Sequence, residues 1–380
     1  MANSNNLGNG IGNGRGLAEK LISYSFFNVI KQEQIFIGLI GLFFFVAAVA
    51  TPFREVAMWV GFIFAGYSAI ANDSIQTIGT FLASNQDKKW WILWLFIGGI
   101  FLLVVTISWV QFDGDVSWQR LSSKGFDKAP ESFSFLQVAA PIFLLILTRM
   151  RMPVSTTFLI LSCFATDAAA ITSVLGKSLS GYGLAFALGL IVWLLVTKTV
   201  EKKFSSTEAS KIWLPIQWLT SGSLWGVWIM QDAANIAVYL PRSLSLAEFV
   251  GFASFIFLGL GILFYLRGDR IQRIVTEKSR VTDIRSATII DFIYAILLVY
   301  KLTISTVPMS TTWVFLGLLA GREIGMSIMD AVGVGKPFPK VMKIVFKDLS
   351  YALFGLLVSI LLAITINDNV RAELLNMIGY

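Results

Sequence analysis

Apolar residues fall in long continuous blocks along this chain, separated by short polar or basic stretches. The run IFIGLIGLFFFVAAVATP at 35–52, and those at 90–110 and 349–366, contain almost no charge. Each is long enough to cross a bilayer, which takes roughly 17–25 apolar residues as a helix. The blocks are continuous rather than alternating, which excludes the strands of a transmembrane barrel. Eleven crossings are predicted, at 35–52, 56–84, 90–110, 133–150, 153–175, 182–199, 212–247, 248–267, 287–306, 308–330 and 349–366. Two of these, 56–84 and 212–247, are too long for a simple helix and hold polar residues near their middles. Each is read as a broken helix. The expected fold class is an all-α polytopic membrane protein.

Composition points the same way. Of 380 residues, 56% are hydrophobic and 14% charged, with a mean hydropathy of +0.73; soluble domains carry about 25% charged residues. The net charge of +7 is concentrated in connections. Lys198, Lys202, Lys203 and Lys211 occupy one, and Arg267, Arg270, Arg273, Lys278, Arg280 and Arg285 another. Lys336, Lys340, Lys343 and Lys347 mark a third, with Lys88, Lys89, Arg149 and Arg151 in two more. Eleven crossings put all of these on one face, which the positive-inside rule makes cytoplasmic. The longest loop, 111–132, has four acids against three bases and falls outside. The expected location is the plasma (inner) membrane, with the N-terminus inside and the C-terminus outside. Basic connections of this kind need no nucleic-acid partner. Residues 1–16 are rich in Asn and Gly, lack the order of a signal peptide, and precede a short amphipathic stretch at 17–30.

The chain contains no histidine and one cysteine, Cys163. That removes His-ligated zinc, haem, Ser-His-Asp chemistry and any intrachain disulfide. A membrane-embedded hydrolase would need a nucleophile–base pair that these residues do not assemble, so no enzyme and no resident cofactor is expected.

Two motifs recur. LTRMRMPVSTT (147–157) and LTISTVPMSTT (302–312) share six of eleven positions at an offset of 155 residues. NDSIQ (72–76) aligns with QDAAN (231–235), pairing Asp73 with Asp232 at an offset of 159. Five predicted crossings, an odd number, separate equivalent points, so the second copy must be inverted in the membrane. Inverted repeats with broken helices and a midplane site are the architecture of secondary transporters.

Pro153 and Pro308 cannot continue a preceding helix but suit the first turn of a new one. Ser155, Thr156 and Thr157, like Ser310, Thr311 and Thr312, place hydroxyls beside that turn's unpaired amides. Such a helix start is an anion site, and two related by a pseudo-twofold would hold one small anion from both sides. A single copy would be as well explained by hydroxyls bonding back to their own backbone. Two copies, each after a proline, favour the anion. Carboxylates at the bilayer centre are costly and mark ion or substrate paths. At a helix break, Asp73 or Asp232 with an amide oxygen and freed carbonyls would make a hard-oxygen cage for Na⁺. The competing structural readings pair Asp232 with Arg242, and Asp167 with Arg322 across the twofold. Asp291, Lys301, Glu323 and Asp330 are further charges inside apolar segments.

These residues together resemble the inorganic phosphate transporter (PiT) family, whose signature reads approximately GANDVANxxGT with P-[VI]-S-T-T later in each half. The resemblance spans about 70–325, with PVSTT matched fully at 153–157 and Met309 departing in the second copy. Ile70, Gln76, Gln231, Val238 and Tyr239 depart from the signature, and Phe158 and Trp313 stand where a histidine often follows STT. The resemblance implies cation-coupled symport of an oxyanion. It places Asp73, Ser155, Thr156, Thr157, Asp232, Ser310, Thr311 and Thr312 around the anion. It places Asn72, Asp73, Gln76, Thr77, Gln231, Asp232 and Asn235 around Na⁺, or as carriers of H⁺. Carboxylates beside an anion make sense if a cation neutralises them or if they accept hydrogen bonds from protonated phosphate. Sulfate has no such proton at neutral pH.

The expected organisation is a tail and amphipathic segment (1–33), repeat 1 (34–200), a cytoplasmic linker (201–211), repeat 2 (212–347) and a terminal helix with its tail (348–380). The expected function is Na⁺- or H⁺-coupled phosphate symport by alternating access. Sulfate or another oxyanion is the alternative substrate, and a passive anion channel the alternative mechanism. Membrane lipid and a second copy in a homodimer are the other expected partners.

Overall fold

A computed structural model describes residues 33–85, 87–150, 152–196, 207–266, 283–329 and 336–378. The stretch at 17–30, Lys202, Lys203, residues 267–282 and Asp330 lie outside the described residues. Every described element is helical. Helix α1 (Glu33–Ala50) leads to α2 (Arg54–Ser68), which passes through a π-helical turn (Ala69–Asp73) into α3 (Ser74–Ser84). Then come α4 (Trp90–Gln111), α5 (Phe135–Arg149), the short α6 (Thr156–Leu159) with a 3₁₀ turn (Leu161–Phe164), and α7 (Ala168–Val196). The second half holds α8 (Trp213–Ala237), α9 (Leu246–Tyr265), α10 (Ile284–Ile304), α11 (Thr311–Ile328), α12 (Phe338–Ile366) and α13 (Asp368–Ile378). Six of the described helices are long and apolar enough to cross a membrane. Leu195 and Phe346 stand exposed on two of them, as a lipid-facing surface requires.

Contacts between connections define two faces. On the first, Arg149 pairs with Glu33 at 2.7 Å, Arg285 donates to the Thr207 carbonyl at 2.8 Å, and Lys336 pairs with Glu323 at 2.9 Å. On the second, the Leu244 amide donates to Gly114 O at 2.9 Å, Thr166 N to Gly125 O at 3.0 Å, and Asn367 Nδ2 to Ala165 O at 2.6 Å. Among the described residues, successive elements run back and forth between these faces. Asn85, at the end of α3, meets Gln217, at the start of α8, at 3.1 Å. The α2–α3 unit and α8 therefore run in opposite directions, and so do α5 and α10. The structure is an all-helical polytopic membrane fold with an inverted internal repeat.

The same partners are exchanged between halves. Helix α7 packs on α11, and α12 packs on α6 and its 3₁₀ turn. The α7–α11 contact is backbone to backbone, through Gly317, Gly321 and Gly325 at four-residue spacing. A Cβ on Gly321 would lie 2.7 Å from Leu190 N, and one on Gly325 3.1 Å from Leu190 O. Small residues at this spacing let membrane helices approach closely.

Three expectations are corrected. Residues 212–247 do not form a broken helix: α8 runs unbroken through Asp232 to Ala237. Between Val227 and Ala237 there is no Gly or Pro, the residues that kink helices. The crossings at 153–175 and 182–199 are redrawn. Ser155 starts α6 as predicted, but regular winding ends at Phe164, and Asp167 Oδ1 accepts Ala170 N at 2.7 Å to start α7 at once. Residues 152–167 still pass from one face to the other. Finally, Lys340, Lys343 and Lys347 lie on the first turns of α12 rather than in a loop.

Candidate functional site

Ser155 and Ser310 cap α6 and α11 identically. Each has extended backbone angles (φ −82°, ψ 122° and φ −71°, ψ 106°), and each Oγ accepts the amide three residues on, at 3.2 Å. Helix α6 arrives from the first face and α11 from the second, so the two starts meet. Thr157 Oγ1 donates to Met309 O at 3.4 Å. Phe158 and Trp313, the residues just after each STT, pack edge to face with centroids 5.5 Å apart. Equivalent residues thus touch across the pseudo-twofold and hold the two hydroxyl turns together.

The acids join this centre. Thr156 Oγ1 donates to Asp73 Oδ2, and the repeat-equivalent Thr311 lies beside Asp232. Asp73 and Asp232 are close enough to repel each other. Asn235 ties the halves, donating to Thr157 Oγ1 at 3.1 Å and Asp232 Oδ1 at 2.7 Å. All eight residues proposed around the anion are at most 4% exposed. The two copies of each motif, 155 or more residues apart, therefore converge on one buried polar centre.

The cation candidates divide. Gln231 Oε1, Asp232 Oδ2 and Asn235 Oδ1 are buried oxygens without a hydrogen-bond partner among the described residues. They sit on adjacent turns of α8, and Na⁺ takes this kind of neutral-plus-carboxylate oxygen set. A narrow space of about 20 Å³, lined in part by Ile70, Phe101, Trp228 and Phe252, reaches Asp232; that is room for about one water-sized occupant. Thr77 is fully buried one turn beyond Asp73. The side chains of Asn72 and Gln76 lie outside the described residues. The backbone there is π-helical rather than broken, a winding found often at functional sites.

Two predicted pairings do not form. Asp167 caps α7, while Arg322 pairs with its neighbour Glu323 at 2.9 Å, near the opposite face. Arg242 donates to the carbonyls of Phe126, Lys128, Val238 and Leu240, not to Asp232. Because α8 ends at Ala237, Arg242 has already turned into the loop. Other contributors carried no motif. Trp228 Nε1 donates to Thr311 Oγ1 at 3.2 Å, Tyr294 OH to Thr311 O at 2.9 Å, and Ser178 Oγ accepts Ser310 N at 2.9 Å. Asp291 accepts from Thr80 at 2.9 Å and Ser221 at 2.5 Å, in a separate polar cluster between α3, α8 and α10.

Fold and site define a polytopic helical membrane protein built from inverted repeats around a buried polar centre. No protein-family model and no curated protein matches the chain. A solved structure described as "The sodium-dependent phosphate transporter" is similar in fold at a TM-score of 0.49 and 18% identity, covering 85% of this chain and 99% of that one.

Proposed function

We propose that the chain is a secondary-active symporter of an oxyanion, inorganic phosphate first, driven by Na⁺ or H⁺. The observation that supports this reading is the head-to-head meeting of two serine-capped STT turns between two buried carboxylates. Hydroxyls and first-turn amides from opposed directions suit a tetrahedral anion. Asp73 and Asp232 favour an anion that carries its own protons, which they accept. The unpartnered oxygens of Gln231, Asp232 and Asn235 suit a cation that offsets the acids as the anion binds. Alternating access would rock the repeats, divided at 201–211, about this fixed centre. Positive charge supports a cytoplasmic position for the basic face and an inside N-terminus, and the plasma (inner) membrane is the proposed location.

The test is ³²P-phosphate uptake by purified chain in proteoliposomes, with Na⁺ and H⁺ gradients imposed separately and sulfate as competitor. Uphill accumulation under one gradient is the expected result. Gradient-independent equilibration would make the protein a passive pore, and sulfate competing as well as phosphate would widen the substrate to oxyanions generally.

A further inference from the structure

A second cluster of charge lies toward the second face, beside the second hydroxyl turn. Arg120, in the connection between α4 and α5, is 3% exposed. Its guanidinium donates to the carbonyl of Ser305 and, at 3.2 Å, to that of Leu302. Lys177 of α7 donates to the same Ser305 carbonyl at 2.8 Å and to Val307 O at 2.5 Å. Two cations thus converge on one oxygen. Lys301, in the last turn of α10, donates to Ser180 Oγ at 2.7 Å, and Ser180 donates to Lys177 O at 2.8 Å. The Lys177 ammonium feels the positive charge of both Arg120 and Lys301.

Capping the carbonyl end of α10 accounts for part of this, since a helix end carries about half a negative charge. It does not account for three cations. Among the described residues no carboxylate pairs with any of them, and their hydrogen bonds go to neutral oxygens. Arg120 Nε is buried with no partner among the described residues. Burial draws the Arg120 guanidinium down to about 10, so it stays charged at neutral pH. A buried guanidinium without a counter-ion is costly, and Arg120 with Lys301 and the half-buried Lys177 beside it is the kind of donor set that binds phosphate oxygens.

We infer that Arg120, Lys177 and Lys301 form a second site for phosphate oxygens, separate from the midplane centre and at the mouth of the second hydroxyl turn. Ser178, beside Lys177, accepts the Ser310 amide at 2.9 Å, and Lys177 holds Val307, three residues before Ser310. An occupant here therefore sits against the segment that shapes the midplane turn. Inorganic phosphate and the phosphate of an anionic lipid headgroup present the same oxygens, so the test separates them.

The intact chain is purified alongside Lys177→Gln/Lys301→Gln, which leaves Arg120 on its carbonyls, and Lys177→Arg/Lys301→Arg, which keeps the charge. One arm measures equilibrium ³²P-phosphate binding to delipidated protein. The other measures phosphatidylglycerol retained after exposure to phosphatidylglycerol/phosphatidylcholine vesicles, by native mass spectrometry. The Gln pair is expected to weaken one of these about tenfold or more, the scale of losing charge-assisted hydrogen bonds, and the Arg pair to restore it. Loss in the first arm assigns free oxyanion, and loss in the second assigns a headgroup. Unchanged phosphate binding and unchanged lipid retention in the Gln pair overturn the inference. Ser155→Ala/Ser310→Ala, assayed in parallel, reports on the midplane centre alone, so the two readings fail separately.

Discussion

The two half-sites present the same chemistry on unlike backbones. In the first, Asp73 closes a π-helical turn and Thr156 opens a helix of one turn. In the second, Asp232 sits inside the unbroken α8 and Thr311 opens the 18-residue α11. The second half is also braced. Trp228 holds the Thr311 hydroxyl, Tyr294 holds its carbonyl, and the glycine face of α11 lies on the α7 backbone. Thr156 has no aromatic hydrogen-bond partner of this kind among the described residues. One-turn and π-wound segments have few internal bonds to lose, and such elements supply the moving parts of proteins. On this asymmetry the second half is expected to anchor and the first to rearrange.

The largest effect is expected at the anchor. Gly321→Leu forces a branched side chain into the Leu190 backbone and should cost about 3 kcal/mol or more, the upper range for overpacking. Detergent-solubilised protein should melt far lower or fail to fold. Gly176, whose Cβ position is open, is the control, and Gly176→Leu should melt normally. A normal melt for Gly321→Leu would mean that α11 is not anchored through its glycines.

Next come the acids. Asp73→Asn and Asp232→Asn keep size and hydrogen bonding but remove the charge that a coupling cation would neutralise. Each should lower gradient-driven uptake by about a hundredfold, equivalent to about 2.7 kcal/mol, while the proteins still insert and fold. If one variant transports normally, the two half-sites do not share the same chemistry. A subtler change is deletion of Ala71 from the π turn. Taking out the extra residue lets α winding resume and changes the backbone beside Asp73 with little rotation of the flanking helices. Uptake should fall about tenfold with melting temperature nearly kept, since the α-helix is the commoner winding. A large drop in melting would show the π turn to be structural rather than mobile.

Run length is a local property, so an all-helical polytopic fold was legible in the chain. The grouping of Asp73 and Asp232 with the STT turns was an expectation from motifs that occur twice in the same order, whereas the pairing of each acid with Thr156 or Thr311 was not. Winding was not legible either. Whether 69–73 or 228–235 departs from the α-helix depends on contacts such as Thr156 with Asp73, which are remote in sequence. The start of α7 was hidden because the apolar run continues across Asp167, and only its cap on Ala170 marks the boundary. Trp228 and Tyr294 read as ordinary apolar-segment aromatics until their polar atoms are seen on Thr311. Arg120, Lys177 and Lys301 come from three separate segments, and no spacing rule joins them. Phe158 and Trp313, each directly after an STT motif, pack on each other across the twofold, which neither motif by itself announces.

The smallest expected effect tests the brace directly. Tyr294→Phe removes one buried hydroxyl that donates to Thr311 O at 2.9 Å and leaves the ring and its contact with Phe315 in place. A single hydrogen bond of this kind contributes about 1 kcal/mol, and the Thr311 carbonyl loses a donor that nothing replaces. If Thr311 must be held still for the anion to bind, the apparent KM for phosphate should rise about fivefold with kcat nearly unchanged. If instead kcat falls and KM holds, Tyr294 acts on the rearrangement step, and the second half moves as much as the first. An unchanged KM and kcat would mean that the brace is redundant with Trp228, which Trp228→Phe in the Tyr294→Phe background would then expose.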